Sequence, residues 1–426
     1  MKLTHLRIHR YRDVVPGTAL AFSPALNLVL GDNGTGRTTL LALLGHVLAA
    51  DFSSLLHEEF SLEYTLDFPG MDVHLQVRNE RPATPAAPES VQALARGTPG
   101  ASEAPLEPFM CITLALHAPD TRLVLRANAE GVAWEVNGQP DYTQKMYWSL
   151  LDRTAWVVLF LASQRLAPGH KERLKELLRR TFLLAPARFD EALGGFERIG
   201  QSQYAMETRG EDVFPLGLMS LPTWLPGLLR ERAPRAAATG FIDVRHDEGE
   251  RTFLARFVAL AGLSAGRFRV ELLDRRSWED GGRLEFGRFH FTFTRRDGTL
   301  LSGEHLGHGQ KRLLSLLYYL DVNEDFVLAD ELANGLHPRW VEAVVRELHG
   351  RQAFVTSQNP LLFDYVAPGD SDELRTSLIH CTLAEHAGRE CKAWHNAPPD
   401  VSARLFGDYA RGGTPLATLL RLHGLW

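Results

Sequence analysis

Apolar and polar positions alternate through much of the N-terminal third of the chain. Residues 3–9 alternate well enough to form a strand, and residues 19–22 are placed to pair with it. Residues 61–68 and 71–78 alternate on either side of Pro69-Gly70, which predicts a hairpin. Strand character returns at 110–116, 122–127 and 132–136, the last followed by the turn pair Asn137-Gly138, so these strands are expected to extend the same antiparallel sheet. Residues 81–108, rich in Pro, Ala, Gly and Ser, lack a period that could bury one face and are expected to form a mobile insertion.

From Tyr142 the spacing becomes helical. Residues 171–182 set charges on one side and leucines on the other, and helix or loop is expected to continue to about Leu263, with 201–226 giving no assignable element. Strands resume at 268–273, 283–286 and 289–295, and a helix follows at 310–320. Beyond it strand and helix alternate: 326–329, 338–348, 353–356 and 360–366. This is α/β wiring resumed after a long insertion. The expected divisions are 1–141, a half-domain with an antiparallel sheet; 142–265, an inserted and mainly helical lobe; and 266–426, the second half-domain.

The chain has 426 residues, 45% of them hydrophobic, enough to bury a sizeable core in two or three lobes. A net charge of −6 and a pI near 6.3 give no overall attraction for nucleic acid, although arginines could still gather into a local patch. No apolar run approaches the roughly 20 residues that cross a bilayer, and residues 1–13 read without a signal-peptide core, so a cytoplasmic protein with no membrane partner is expected. Cys111, Cys381 and Cys391 form no disulfide framework. His380, Cys381, His386, Cys391 and His395 are metal-ligand types, but they straddle an expected hairpin about Ala387-Gly388 and lack paired ligand spacing, so a metal site is not expected there.

Candidate chemistry begins at residues 26–44. An apolar run reads as a buried strand, Gly31, Gly34 and Gly36 make a loop that also holds Asn33, and Thr38 and Thr39 open a helix. Glycines let backbone N–H groups turn toward an anion, the helix N-terminus adds partial positive charge, and a hydroxyl inside the helix can reach a magnesium ion. The spacing fits G-x-x-x-x-G-K-[ST] except at Arg37, which stands where the pattern has lysine. A guanidinium is wider than an ammonium and prefers forked contacts. Residues 325–331, DFVLADE, read as an apolar strand ending in two carboxylates: Asp330 can serve a magnesium ion and Glu331 can polarise an attacking water. A buried strand with a solvated acidic end is the alternative, and the accompanying phosphate loop favours chemistry.

Residues 305–320 form a glycine-bearing turn opening an amphipathic helix, and ANGLHP follows the carboxylates at 333–338. A second helix N-terminus is a second anion site, and two such loops in one chain usually cannot close on one nucleotide, which implies a two-fold dimer. With these pieces in order, Gly31 to Thr39 resembles a Walker A motif and Leu306, Gly307, Gly309 and Gln310, in LGHGQ, an ABC signature. Residues 326–331 resemble a Walker B motif, 334–338 a D-loop and 356–360, TSQNP, a switch loop. Gln164, after the apolar run 156–161, resembles a Q-loop glutamine. The chain therefore resembles a stand-alone ABC-type ATPase of the RecF, SMC and OLD kind, an α/β P-loop NTPase head.

That resemblance implies two heads sandwiching ATP and Mg2+, each nucleotide held by one P-loop and the partner's signature. It implies that Gly31, Asn33, Gly34, Gly36, Arg37, Thr38 and Thr39 bind nucleotide, that Thr38, Asp330 and Gln164 serve the metal, and that Glu331 is the base, with Gln358 and Gln164 near the γ-phosphate. It implies that Gly309 meets the partner's γ-phosphate. Three positions depart from the pattern: Arg37 for lysine, Gly307 for serine and Gln358 for histidine. Losing one preorganised donor can cost on the order of 3 kcal/mol of barrier, so a slow or partner-dependent ATPase is expected. No segment sustains the heptads of an SMC coiled coil. The roughly 60 residues after Asp364 are too few for a nuclease domain. Three readings remain: a switch working with DNA or a separate effector in DNA repair or antiphage defence; a nucleotide-binding scaffold with little hydrolysis; or a RecF-like DNA-binding repair protein using arginines such as those at 173–180 or 288–296.

Overall fold

The computed structural model describes residues 1–81, 105–117, 120–128, 130–145, 151–152, 166, 168–183, 189, 194–209, 212–216, 221–249, 251–279 and 281–426. The chain divides into two compact units. The first comprises Met1–Phe22, His46–Thr181 and Cys381–Asn396. The second comprises Ser23–Gly45, Phe182–His380 and Ala397–Trp426.

In the first unit, alternation produces an eight-stranded antiparallel sheet in the order Thr18–Ala21, Lys2–Tyr11, Phe60–Phe68, Met71–Glu80, Glu107–His117, Asp120–Asn128, Gly131–Val136, Gln139–Gln144. One cross-strand row shows why the pattern selects this register. Leu20 opposes Leu6, which opposes Tyr64; the row continues through Leu75, Ile112 and Leu125 to Trp134. All seven side chains are buried. Slipping one strand by one residue would turn its whole apolar set to the other face. The hairpin about Pro69-Gly70 and the turn at Asn137-Gly138 lie where the alternation breaks, with Asn137 and Gly138 both at positive φ.

The second unit holds the parallel strands Leu26–Gly31, Gln352–Val355 and Phe326–Ala329, side by side with Gln352–Val355 in the middle. FVLA and QAFV are buried at every position, as strands covered on both faces require. The polar exceptions are satisfied. Buried Gln352 donates through its Nε2 to the Ser23 carbonyl at 2.8 Å, and Asn27 exchanges two hydrogen bonds with Ser23, accepting at 2.9 Å and donating at 3.0 Å.

The same unit contains an antiparallel sheet in the order Asp212–Leu216, Gln203–Arg209, Gly281–Thr294, Ala265–Trp278, Phe241–Arg245. This corrects the reading of 142–263 as helix or loop throughout. That span of the sequence holds three short strands as well as the helices Pro168–Leu183, Gly194–Gln201, Leu225–Thr239 and Phe253–Ala261. Their partners are distant in sequence: Met206 opposes Leu284 and Val244 opposes Phe268. Residues 283–295 likewise form one strand, Gly281–Thr294, not two. A bulge at Arg288, φ +53, inserts one residue and shifts the register, so Phe286 and Phe289 are both buried three positions apart.

A half-buried polar cluster fixes the long helix His308–Val322 to its neighbours. The Asp321 carboxylate accepts from Phe253 N at 2.7 Å and from Trp224 Nε1 at 3.2 Å and pairs with Arg256, which also pairs with Glu347. Removing one member leaves the other, largely desolvated charges without their partner. Asp321→Ala should therefore lower stability by about 3 kcal/mol in urea unfolding. A loss below about 0.5 kcal/mol, the size of a neutral surface change, would show that the cluster is not a structural staple.

Candidate functional site

The strand Leu26–Gly31 runs into a loop whose glycines carry its shape. Gly31, Gly34 and Gly36 have φ of +139°, +86° and +92°, values that side-chain-bearing residues avoid. Buried Thr35 donates its hydroxyl to the Asp32 carbonyl at 2.7 Å and tightens the turn. The helix Arg37–Ala49 then starts with no acidic residue in its first turn, so no negative side chain there opposes an anion at its N-terminus. Thr38 is exposed and Thr39 half-buried behind it.

Asp330 gathers the site. It follows the buried run Phe326–Ala329, and its two carboxylate oxygens accept from two hydroxyls, Thr38 Oγ1 at 2.7 Å and Thr356 Oγ1 at 2.6 Å. The glycine loop's helix, the acidic strand and the segment that follows Gln352–Val355 thus meet through one side chain. Glu331 next to it is 8% exposed and takes φ +51°, a left-handed backbone state that costs about 1 kcal/mol outside glycine. Its N–H donates to Thr356 Oγ1 at 2.8 Å, and its carbonyl accepts from Asn334 N at 3.1 Å and from the Arg312 guanidinium. Its carboxylate Oε2 accepts from Gln358 N at 2.9 Å while Oε1 faces Arg37 Nη1 at 3.5 Å. Arg37 Nη2 also donates to Asn33 Oδ1 at 3.1 Å.

Of the residues expected to form a signature, Gly309 packs against the loop 333–338. Leu306 is buried, and Gly307 N donates to Gln310 Oε1 at 3.1 Å at the start of the helix. A Cβ on Gly309 would lie 2.7 Å from the Gly335 carbonyl, and Gly335 itself has φ +69° against the His308 ring. Only glycine permits that approach at both positions. Gln164, with the run 156–161, lies outside the described residues, as does most of the segment 81–108.

Two residues that hold this site together have no role that the motifs assign. Arg312, 3% exposed, reaches Glu331 and lies over the Phe189 ring at 5.0 Å. In the sequence it is one more basic residue on an amphipathic helix. Thr356 is in the sequence only the first letter of an expected switch loop, yet its hydroxyl donates to one carboxylate residue and accepts from the next.

The residues present suit a magnesium ion with nucleotide phosphates. Thr38 and Asp330 offer hard oxygen donors 2.7 Å apart. Among the described residues no group of three or more His, Cys, Asp or Glu side chains could hold a metal alone. Magnesium is commonly bound in this way, through one or two protein oxygens with phosphate and water completing the shell.

Residues 208–364 match the family described as "AAA domain, putative AbiEii toxin, Type IV TA system". Among solved structures, the SMC head domain from Thermotoga maritima is similar over 93% of this chain and 100% of its own length, at 12% identity and a TM-score of 0.38. An Smc head domain with an extended coiled coil, bound to the C-terminal domain of ScpA and derived from Pyrococcus furiosus, is similar over 96% of this chain and 99% of its own, at 11% identity and a TM-score of 0.42. The recombination mediator protein RecF of the RecFOR pathway is similar over 93% and 98%, at 11% identity and a TM-score of 0.28. No curated protein matches the chain. Among the described residues, no helix is long and apolar enough to cross a membrane.

Thr356→Val keeps the side-chain shape and removes the hydroxyl that serves both Asp330 and Glu331. It leaves the buried Glu331 N–H without an acceptor, and stability measured by urea unfolding should fall by about 2 kcal/mol. Unchanged stability would mean that the hydroxyl does not hold the two carboxylates in place.

Proposed function

We propose that this chain is an ABC-type ATPase head of the RecF and SMC kind, that it binds ATP with Mg2+ at its P-loop, closes on a second copy through the signature turn, and hydrolyses the nucleotide slowly. The observation that carries the reading is the meeting of Thr38, Asp330 and Thr356 within hydrogen-bond distance, with Glu331 fixed beside them. Residues more than 290 positions apart converge on the oxygens that a metal–phosphate complex requires.

In this reading Arg37 and the loop amides bind the phosphates, and Thr38 and Asp330 hold the metal. When bound, Mg2+ neutralises phosphate charge and orients the terminal phosphoryl group. Glu331 accepts the proton of the attacking water, and the Gln358 amide and the Thr356 hydroxyl aim its carboxylate and backbone. Gln164 has the role of sensing the γ-phosphate, and Gly309, in this chain's signature turn, meets the γ-phosphate of the nucleotide held by the partner. Opening and closing of the dimer would be read by a separate effector, in DNA repair or in antiphage defence. The family description that matches 208–364 names a toxin–antitoxin system, which accords with an effector partner. For DNA as the partner, ion pairs already engage Arg269 with Asp243 and Arg288 with Glu271, which offsets part of the charge on those strands.

A second reading, a nucleotide-binding scaffold with little hydrolysis, is favoured by one observation. Both Glu331 carboxylate oxygens already have partners, Gln358 N and Arg37.

Steady-state ATP turnover separates the two. The slow-ATPase reading expects a rate that Glu331→Gln lowers by about 100-fold or more. Equal rates for the two proteins would refute it. In sedimentation, Glu331→Gln should form more dimer with ATP than without, and a nucleotide-independent distribution would refute the sandwich.

A further inference from the structure

The P-loop arginine and the Walker B glutamate are partners of each other. Arg37 Nη1 lies 3.5 Å from Glu331 Oε1, and their side chains are only 10% and 11% exposed. The second guanidinium nitrogen donates to Asn33 Oδ1, inside the same loop. The planar fork therefore spans two acceptors, one in the P-loop and one on the acidic strand, a geometry that a single ammonium point charge does not reproduce. The other Glu331 oxygen is fixed by the Gln358 amide, so the carboxylate is aimed at the arginine from behind. In this arrangement the group suited to bind phosphate is held by the group suited to activate water, and each occupies the other.

We propose that Arg37 is a partner-exchange residue, resting on the ATP-binding reading above. Without nucleotide it is divided between Asn33 and Glu331; terminal phosphate oxygens of an arriving nucleotide displace Glu331 and take its place. Asn33 keeps one side of the fork, so the guanidinium turns about a retained contact and does not leave the loop. The Glu331 carboxylate is released toward water only once phosphate occupies the site. The departure from lysine thus becomes the specificity-determining feature: nucleotide must outcompete an internal carboxylate, which selects for ligands carrying several phosphate charges.

The consequence is an energetic coupling between the two residues. A carboxylate near bound phosphate also repels it directly, but that repulsion does not depend on Arg37. A double-mutant cycle on nucleotide affinity isolates the part that does. The probe is Mg·ADP, titrated calorimetrically into the full chain, so that hydrolysis plays no part. Glu331→Gln should tighten ADP binding by about ten-fold when Arg37 is present and by less than about two-fold in an Arg37→Met background. If Arg37→Met binds too weakly to titrate, Arg37→Gln serves as the second background, with the same expectation. Equal tightening with and without the arginine, or no tightening in the presence of Arg37, would overturn the exchange while leaving nucleotide binding intact. If the wild-type chain binds neither ADP nor ATP, the ATP-binding reading fails and the exchange fails with it.

Discussion

Asp330 accepts a hydroxyl at each carboxylate oxygen, one from Thr38 at the head of the P-loop helix and one from Thr356 at the end of the central parallel strand. The rest of the site depends on this double acceptance. The strand Phe326–Ala329 has no free face on which to vary, being buried at every position, so Asp330 is delivered to a fixed point. The parallel register, Leu328 beside Phe354 and Val355 beside Leu28, then sets Thr356 and Gly31 at the same strand ends. Ligand sites in open α/β sheets form at such carboxyl ends, where loops from neighbouring strands converge.

Glu331 shows how much of the surrounding structure is committed to one side chain. Its left-handed backbone is strained, and strain persists only where neighbours over-determine it. Thr356, Asn334, Arg312, Gln358 and Arg37 all contact its polar atoms. Arg312 belongs to the helix that the signature turn opens, so a shift of that helix would be felt at Glu331 without passing through bound nucleotide. The Asp321 cluster at the other end of the same helix holds it against Phe253, Trp224 and Arg256. One helix is thereby anchored at one end and coupled to the acidic strand near the other.

Much of the arrangement of the candidate site was legible in the sequence, because the strand, loop and helix that carry Gly31, Gly36 and Thr38 and the apolar strand that ends at Asp330 and Glu331 are marked by spacing and composition. Gly31, Gly36 and Thr38 sit at intervals that suit a strand–loop–helix, and the apolar run before Asp330 and Glu331 reads as a strand whichever role its acidic end has. The sheet of the first unit was legible for a similar reason, since alternation with turn pairs at the breaks leaves one register. What was missed depends on distant partners. The strands Gln203–Arg209 and Phe241–Arg245 are short, and their pairing with Gly281–Thr294 and Ala265–Trp278 cannot be read locally. The bulge at Arg288 broke the alternation and made one strand look like two. Arg312 looks like a solvated helix residue until Phe189 and Glu331 are in place. Arg37 was legible as a departure from lysine, but its pairing with Glu331 was not.

The central claim is that Thr38 and Asp330 form a magnesium-dependent nucleotide site. Calorimetric titration of ATP into the chain with excess Mg2+, and again with excess EDTA, tests it most directly, with Thr38→Val as the control. The account predicts that Mg2+ tightens ATP binding by about ten-fold or more in the wild-type chain and that Thr38→Val abolishes most of this gain. Equal affinities with and without Mg2+ in the wild-type chain, or an undiminished gain in Thr38→Val, would contradict it.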